Sequence, residues 1–167
     1  MRASTPVHVR SARTKPRRGH AHWSCDWPCL HGGAWSQGRI VNRLDRDRLY
    51  DAMPFSVPMT DHVSEVFRLL AVATPLPPEM IPPNLVTMNS VVCIRDLDTG
   101  QADTYDLVYP FDAERRPLGR SITAPFGAAM FGRYVGERIA WHAHEGERRA
   151  VIDSIEYQPE REGHHDR

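Results

Sequence analysis

Four residues near the start of the chain have the types and spacing to hold a metal: His22, Cys25, Cys29 and His31, in the pattern H-x2-C-x3-C-x-H. Imidazole nitrogen and thiolate sulfur are the usual zinc ligands. Structural zinc sites, however, generally set two ligand pairs apart by a loop with its own fold, which this cluster lacks. A solvated tail outweighs a zinc site, and no cofactor is expected. A second set, Ser90, His142 and Asp153, has the residue types of an acyl-transfer triad. No nucleophile elbow or glycine-rich oxyanion loop accompanies it, so these are scattered members of common types. A third set is acidic: Asp51, Asp61 and Glu65 flank the stretch 54–59. Carboxylates there could hold a hard cation. The stretch itself has none, and the three acids read better as charges near helix ends. No phosphate-cradling glycine motif occurs. The chain reads as a binding protein, not an enzyme, and no small-molecule substrate is expected.

The balance of 21 basic and 21 acidic residues in 167 argues against a bulk nucleic-acid coat. The distribution is uneven. Residues 1–39 hold seven Arg or Lys and one acid, Asp26, which leaves the body of the chain mildly acidic. Trp23, Trp27 and Trp35 lie in the same arm, a composition suited to weak, salt-sensitive nucleic-acid contact. The arm has no hydrophobic periodicity and is expected to be disordered, or to be an over-extended translation start. Three cysteines make no disulfide framework and fit a reducing compartment. The first 25 residues lack the apolar core of a secretory signal. The longest aliphatic run, residues 69–73, is far too short for a bilayer. A soluble, cytoplasmic, monomeric protein with no membrane partner is the expectation.

These residues need elements to place them. Residues 43–53 put Leu49 and Met53 four apart, with Asn42 or Asp45 able to cap the start. Residues 60–73 place Val63, Val66, Phe67 and Leu70 at i, i+3, i+4 and i+7, a helical stripe. The prolines between them mark a break, so the pair predicts a short antiparallel helical hairpin. Five prolines within 74–83 predict a stiff linker. From Asn84 the period shifts towards two. Val92 and Ile94 alternate with Cys93 and Arg95, and Tyr105, Leu107 and Tyr109 with Thr104, Asp106 and Val108. A short strand over 121–123 leads to Pro125 at a helix start, with Gly132 ending that helix. A last hairpin over 138–143 and 149–157 should turn Val151, Ile155 and Tyr157 inward. The class is α+β, without a βαβ repeat.

Four segments in order carry a resemblance. PPNLVTMNSVV (82–92) resembles a proline linker followed by V-V-T-M-N-S, and TYDLVYP (104–110) resembles T-x-T-L-V-Y-P. APFGAAMFGRYVGERIAW (124–141) resembles S-P-x-G-A-A-L-L-G-x-x-V-G-D-x-I-x-W, and YQPE (157–160) closes the last strand. Together they resemble the Rnk branch of the transcript-cleavage (Gre) factor family over roughly residues 40–160. The resemblance implies this division: an arm (1–39), a short helical hairpin with its linker (40–81), an FKBP-like domain (82–160) and a tail (161–167). The FKBP-like fold is a curled antiparallel sheet around one helix. It also implies docking on bacterial RNA polymerase at the rim of the secondary channel.

In Gre factors a long hairpin enters that channel and presents carboxylates that hold a second magnesium ion. This chain departs from that pattern. Helices of about 11 to 14 residues span roughly 16 to 21 Å, about half of what around 30 residues per helix would give. The apex has no carboxylate, so cleavage stimulation is not expected. Fold alone does not bring prolyl isomerase activity either. Ala124 replaces the usual capping Ser, and Glu137 replaces Asp. The resemblance places partner contact at Thr123, Pro125, Phe126 and Gly127, where a helix start offers free N–H groups. Met88, Asn89 and Ser90 are a second candidate; alternatively their side chains satisfy strand-end backbone groups. Phe131 reads as core. A rival function is a nucleic-acid- or zinc-binding regulator acting through the arm.

Overall fold

A computed structural model describes residues 38–53 and 57–165. His22, Cys25, Cys29, His31 and the three arm tryptophans lie outside the described residues. Asn42 caps the first helix: its Oδ1 accepts from the Leu44 N–H at 2.9 Å. That helix, α1 (Arg43–Ala52), follows strand β1 (Ile40–Asn42) and precedes α2 (Asp61–Val72). Val63, Val66 and Leu70 of α2 are buried, as the helical stripe requires. Leu49 and Met53 of α1 are buried as well. All five belong to one core with Val86, Met88, Val92, Ile122 and Met130 of the sheet domain. Each such side chain contributes about 1.5–3 kcal/mol by leaving water. The two helices are therefore a layer laid on the domain.

The proline-rich stretch does more than link. Thr74–Leu76 forms strand β2, paired in parallel with β1 at the register Ile40↔Thr74 and Asn42↔Leu76. A 3-10 turn follows at Pro78–Met80. Proline removes a donor but leaves every carbonyl free to accept, and Thr74 N–H still donates to Arg39 at 2.6 Å.

Five strands form the main sheet in the order β5-β4-β3-β7-β6: β3 (Val91–Asp96), β4 (Ala102–Val108), β5 (Gly119–Ser121), β6 (Arg138–Ala143) and β7 (Gly146–Tyr157). The expected all-antiparallel sheet is corrected to a mixed one, because β5 runs parallel to β4. After β4, Pro110 starts a 3-10 turn, and the loop to Gly119 carries the chain back before it pairs. Pro110 has no N–H to extend the β4 ladder, so the strand ends there. The inward face of β7 also differs from expectation. Ala150, Ile152 and Ile155 are buried, whereas Val151 and Tyr157 are only half-buried. Register shifts between Val91 and Val92 and between Cys93 and Ile94 move the phase of β7 against β3, which strict alternation cannot anticipate.

Helix α3 (Pro125–Met130) crosses the sheet, started by Pro125 and stopped by Gly132 at φ +68°. Phe131 is buried, as expected of a core residue. Gly127 packs so closely on the preceding strand that a Cβ there would lie 1.9 Å from the carbonyl oxygen of Ser121.

A buried polar hub fastens α1 to the domain. Asp45 Oδ2 accepts from the Met88 N–H at 3.0 Å, and its Oδ1 from the Tyr109 hydroxyl at 3.2 Å. Asn42 Nδ2 donates to Glu160 Oε1 at 2.5 Å, and Thr87 Oγ1 donates to Glu160 Oε2 at 2.8 Å. Gln158 Nε2 donates to the carbonyls of Pro82 and Leu85. Burial, helped by the nearby Glu160 carboxylate, pushes the Asp45 carboxyl from 3.8 up to about 7, against the opposing pull of the Met88 and Tyr109 bonds and Arg48.

Two predictions follow from this packing. Gly127→Ala forces strand β5 and α3 apart and lowers the denaturant midpoint, with a loss of about 2–3 kcal/mol. The folded state holds a proton on Asp45 that the unfolded chain releases between its ordinary pKa and about 7. Stability therefore falls as pH rises through that window, by at most about 4 kcal/mol. Asp45→Asn keeps an acceptor for the Met88 N–H, and urea unfolding of this variant between pH 4.5 and about 7.5 should lose most of that slope.

Candidate functional site

Strand β5 and the first turn of α3 present one continuous loop, residues 121–126. Its shape is set locally. Thr123 N–H donates to Ser121 Oγ at 3.2 Å, the two hydroxyls lie 2.7 Å apart, and Ala124 N–H donates to the Ser121 carbonyl. Thr123, Ala124, Pro125 and Phe126 are all half-buried, so each still shows a face to solvent. Gly127 is buried. Its place in the site is the close approach described above, which lets the loop lie flat on β5. Ala124 makes no side-chain cap, and Ala128 N–H bonds its carbonyl instead. With only six residues, α3 has a weak dipole, so what the loop offers is its side chains more than free N–H groups.

Phe126 turns under the loop. Its ring meets Tyr105 edge-on at 4.9 Å and Trp141 at 4.5 Å, and the Arg120 guanidinium sits over Tyr105 at 4.7 Å. These groups form one wall of a shallow groove of about 340 Å³ on the sheet, floored by Ile94 and Ala150. Asp96 and Arg148 close a side of it as an ion pair. That pair, with two backbone N–H donors, holds the Asp96 carboxyl well below the usual carboxylate range. The aromatic wall was not singled out from sequence, because Tyr105 and Trp141 are core-type residues in alternating strands. Only the pairing Val92↔Tyr105 and the turn of α3 bring them together.

The second candidate set lies inside the protein. Met88, Asn89 and Ser90 are 1 %, 5 % and 0 % exposed. The Met88 N–H meets Asp45, and Ser90 Oγ accepts from the Thr87 N–H and lies 3.0 Å from Thr87 Oγ1. Asn89 sits at φ 60°, a left-handed conformation that asparagine tolerates, and its N–H donates to the Leu107 carbonyl at 2.7 Å. These three residues build the turn that receives α1. Their side chains offer a partner no accessible surface.

The remaining sequence candidates separate. Ser90 is buried against Thr87, His142 is exposed on β6, and Asp153 on β7 pairs with Arg95. Glu65 pairs with Arg68 on α2. Among the described residues no group of three or more His, Cys, Asp or Glu side chains could hold a metal. No helix among them is long and apolar enough to cross a membrane. Glu137, the replacement for Asp, receives Arg39 at 3.0 Å and Arg133 at 3.8 Å, tying the chain before β1 to the turn after α3.

Comparison with known proteins matches this architecture. The family described as transcription elongation factor, GreA/GreB, C-term, matches residues 81–157. The regulator of nucleoside diphosphate kinase of Escherichia coli (strain K12) is 32% identical over 133 residues, covering 74% of this chain and 93% of that protein. Transcription elongation factor GreA of Chlorobium phaeobacteroides is 30% identical over 115 residues, covering 67% of this chain and 72% of that protein. Among solved structures, a prokaryotic transcription elongation factor GreA/GreB from Nitrosomonas europaea superposes with a TM-score of 0.61 at 33% identity. It covers 72% of this chain and 98% of its own. These likenesses extend over most of the chain, and it belongs to the Rnk branch of the GreA/GreB transcription elongation factor family.

Proposed function

We propose that this protein is a non-catalytic regulator that docks on bacterial RNA polymerase near the secondary channel, through the loop Thr123–Phe126. The observation that carries this reading is the placement of α1 and α2. Their apolar faces are spent on the domain core, and Leu49, Met53 and Val63 leave no free finger to enter a channel. Near the connection between the helices, Glu65 is already paired with Arg68. Docking without cleavage stimulation is the function such a body can perform. It occupies the channel entrance and competes there with factors that carry a long hairpin.

The division of labour in this reading is an arm (1–39), a helical hairpin with its proline-rich connection (40–81), an FKBP-like docking domain (82–160) and a short tail (161–167). The protein acts in the cytoplasm as a monomer, and the basic arm adds at most a weak nucleic-acid contact. In the rival reading the arm itself is the active part. Deletion of residues 1–39 separates the two, because polymerase binding survives it only in the first.

A substitution that helps the fold while changing the surface gives the sharper test. Ala124 occupies an N-cap position where aspartate is favoured, by about 1 kcal/mol. Ala124→Asp should keep or raise the melting temperature, yet place a charge in the middle of the docking loop. Binding of the full chain to core RNA polymerase, with a Gre factor as competitor, should be saturable and displaceable. The variant should bind at least about tenfold more weakly, a change of about 1.4 kcal/mol. Unchanged affinity would remove the loop from the interface.

A further inference from the structure

His62, in the first turn of α2, reaches across to the loop just described. Its Nε2 lies 2.8 Å from the carbonyl oxygen of Thr123 and 3.0 Å from Thr60 Oγ1. A carbonyl oxygen can only accept, so Nε2 carries the proton and His62 donates. Thr60 is the N-cap of α2 but makes no side-chain cap bond; its hydroxyl is turned to the imidazole instead. An N-cap side chain usually satisfies a helix N–H, so this arrangement forgoes local helix stability for a contact between elements.

The receiving carbonyl sits at a sensitive point. Thr123 is held from the other side by Ser121, through its N–H and its hydroxyl. Ala124, the next residue, is the N-cap of α3, and Gly127 packs α3 against the Ser121 carbonyl. Farther along, Leu69 of α2 fills the space beside Gly132, where an added Cβ would lie 2.8 Å from its Cδ2. Thus α2 touches the α3 segment at both ends, by a hydrogen bond before α3 and by apolar contact after it.

We propose that the two-helix segment is a brace for the docking loop, and that His62 is the positioning residue through which it acts. The loop 121–126 has its partner-competent shape only while α2 is seated and His62 holds the Thr123 carbonyl. This inference rests on the polymerase-docking reading for the identity of the partner, and on the structure alone for the brace.

Two variants separate donation from space-filling. His62→Gln keeps a donor at similar reach, whereas His62→Met fills the position without one; both residues favour helix, so α2 is retained. Hydrogen exchange followed by mass spectrometry should show the segment 121–128 exchanging about five- to tenfold faster in His62→Met. Gln should restore wild-type rates, and strands β3 and β7 should not change in either variant. Binding of the full chain to core polymerase should weaken by a similar factor in His62→Met and recover in His62→Gln. Equal exchange of the loop in all three proteins would overturn the brace. Faster loop exchange with unchanged polymerase affinity would overturn its role in docking. If the wild type itself does not bind polymerase, the docking reading falls with its partner, while the exchange experiment still decides whether His62 holds the loop.

Discussion

A carboxyl group buried under α1 is the constraint on which the rest of the body is arranged. Asp45 has two oxygens and finds two donors, one from the backbone of Met88 and one from the hydroxyl of Tyr109. Burying a carboxyl unmet by donors costs several kcal/mol, so both must be in place. To supply them, residues 87–90 must turn tightly, with Asn89 in a left-handed conformation, and β4 must stop at Val108 so that Tyr109 can reach Asp45. Glu160 makes a parallel demand on Asn42 and Thr87. Three segments far apart in sequence are thereby fixed to the first turn of α1. The hub adds a directional constraint to the packed core, because a shift of one residue would orphan several polar groups at once.

This organisation explains why the recognisable motifs are where they are. TMNS, the tyrosine of LVYP and the glutamate of YQPE are not surface signatures of a partner. They are the hub seen in the sequence. The segment APFGAAMFG is different in kind: it makes the close crossing of α3 over β5 through Gly127, and it leaves the loop before it half-exposed. One set of residues joins helices to domain. The other shapes the surface that remains.

Much of the fold was legible from periodicity and punctuation. The stripe Val63, Val66, Leu70 and the pair Leu49, Met53 gave α2 and α1, and Pro125 with Gly132 bounded α3. What stayed hidden depends on contacts between distant segments. Parallel pairing of β5 with β4 cannot be inferred from a three-residue strand, and the β-bulges that rephase β7 leave no residue-type signal. Asp45 looked like one of two possible caps, because nothing local distinguishes a solvated carboxylate from one awaiting a turn forty residues away. Of the candidate site, Thr123 to Phe126 are half-buried, whereas Met88, Asn89 and Ser90 are interior. Partner contact and buried satisfaction use the same residue types, so composition does not separate them.

The parallel pair β1–β2 has one further consequence. It clamps the two ends of the helical segment side by side, with Ile40 opposite Thr74, so that segment leaves and re-enters the body at a single point. The ends of the segment are held by backbone pairing, so turns added at its far end would not move the strands outside the clamp. Within such a scaffold, lengthening α1 and α2 by equal numbers of turns would convert a covering layer into a projecting arm while the sheet stayed as it is. The distance between a brace and a probe, in a fold of this design, is a matter of chain length between two fixed strands.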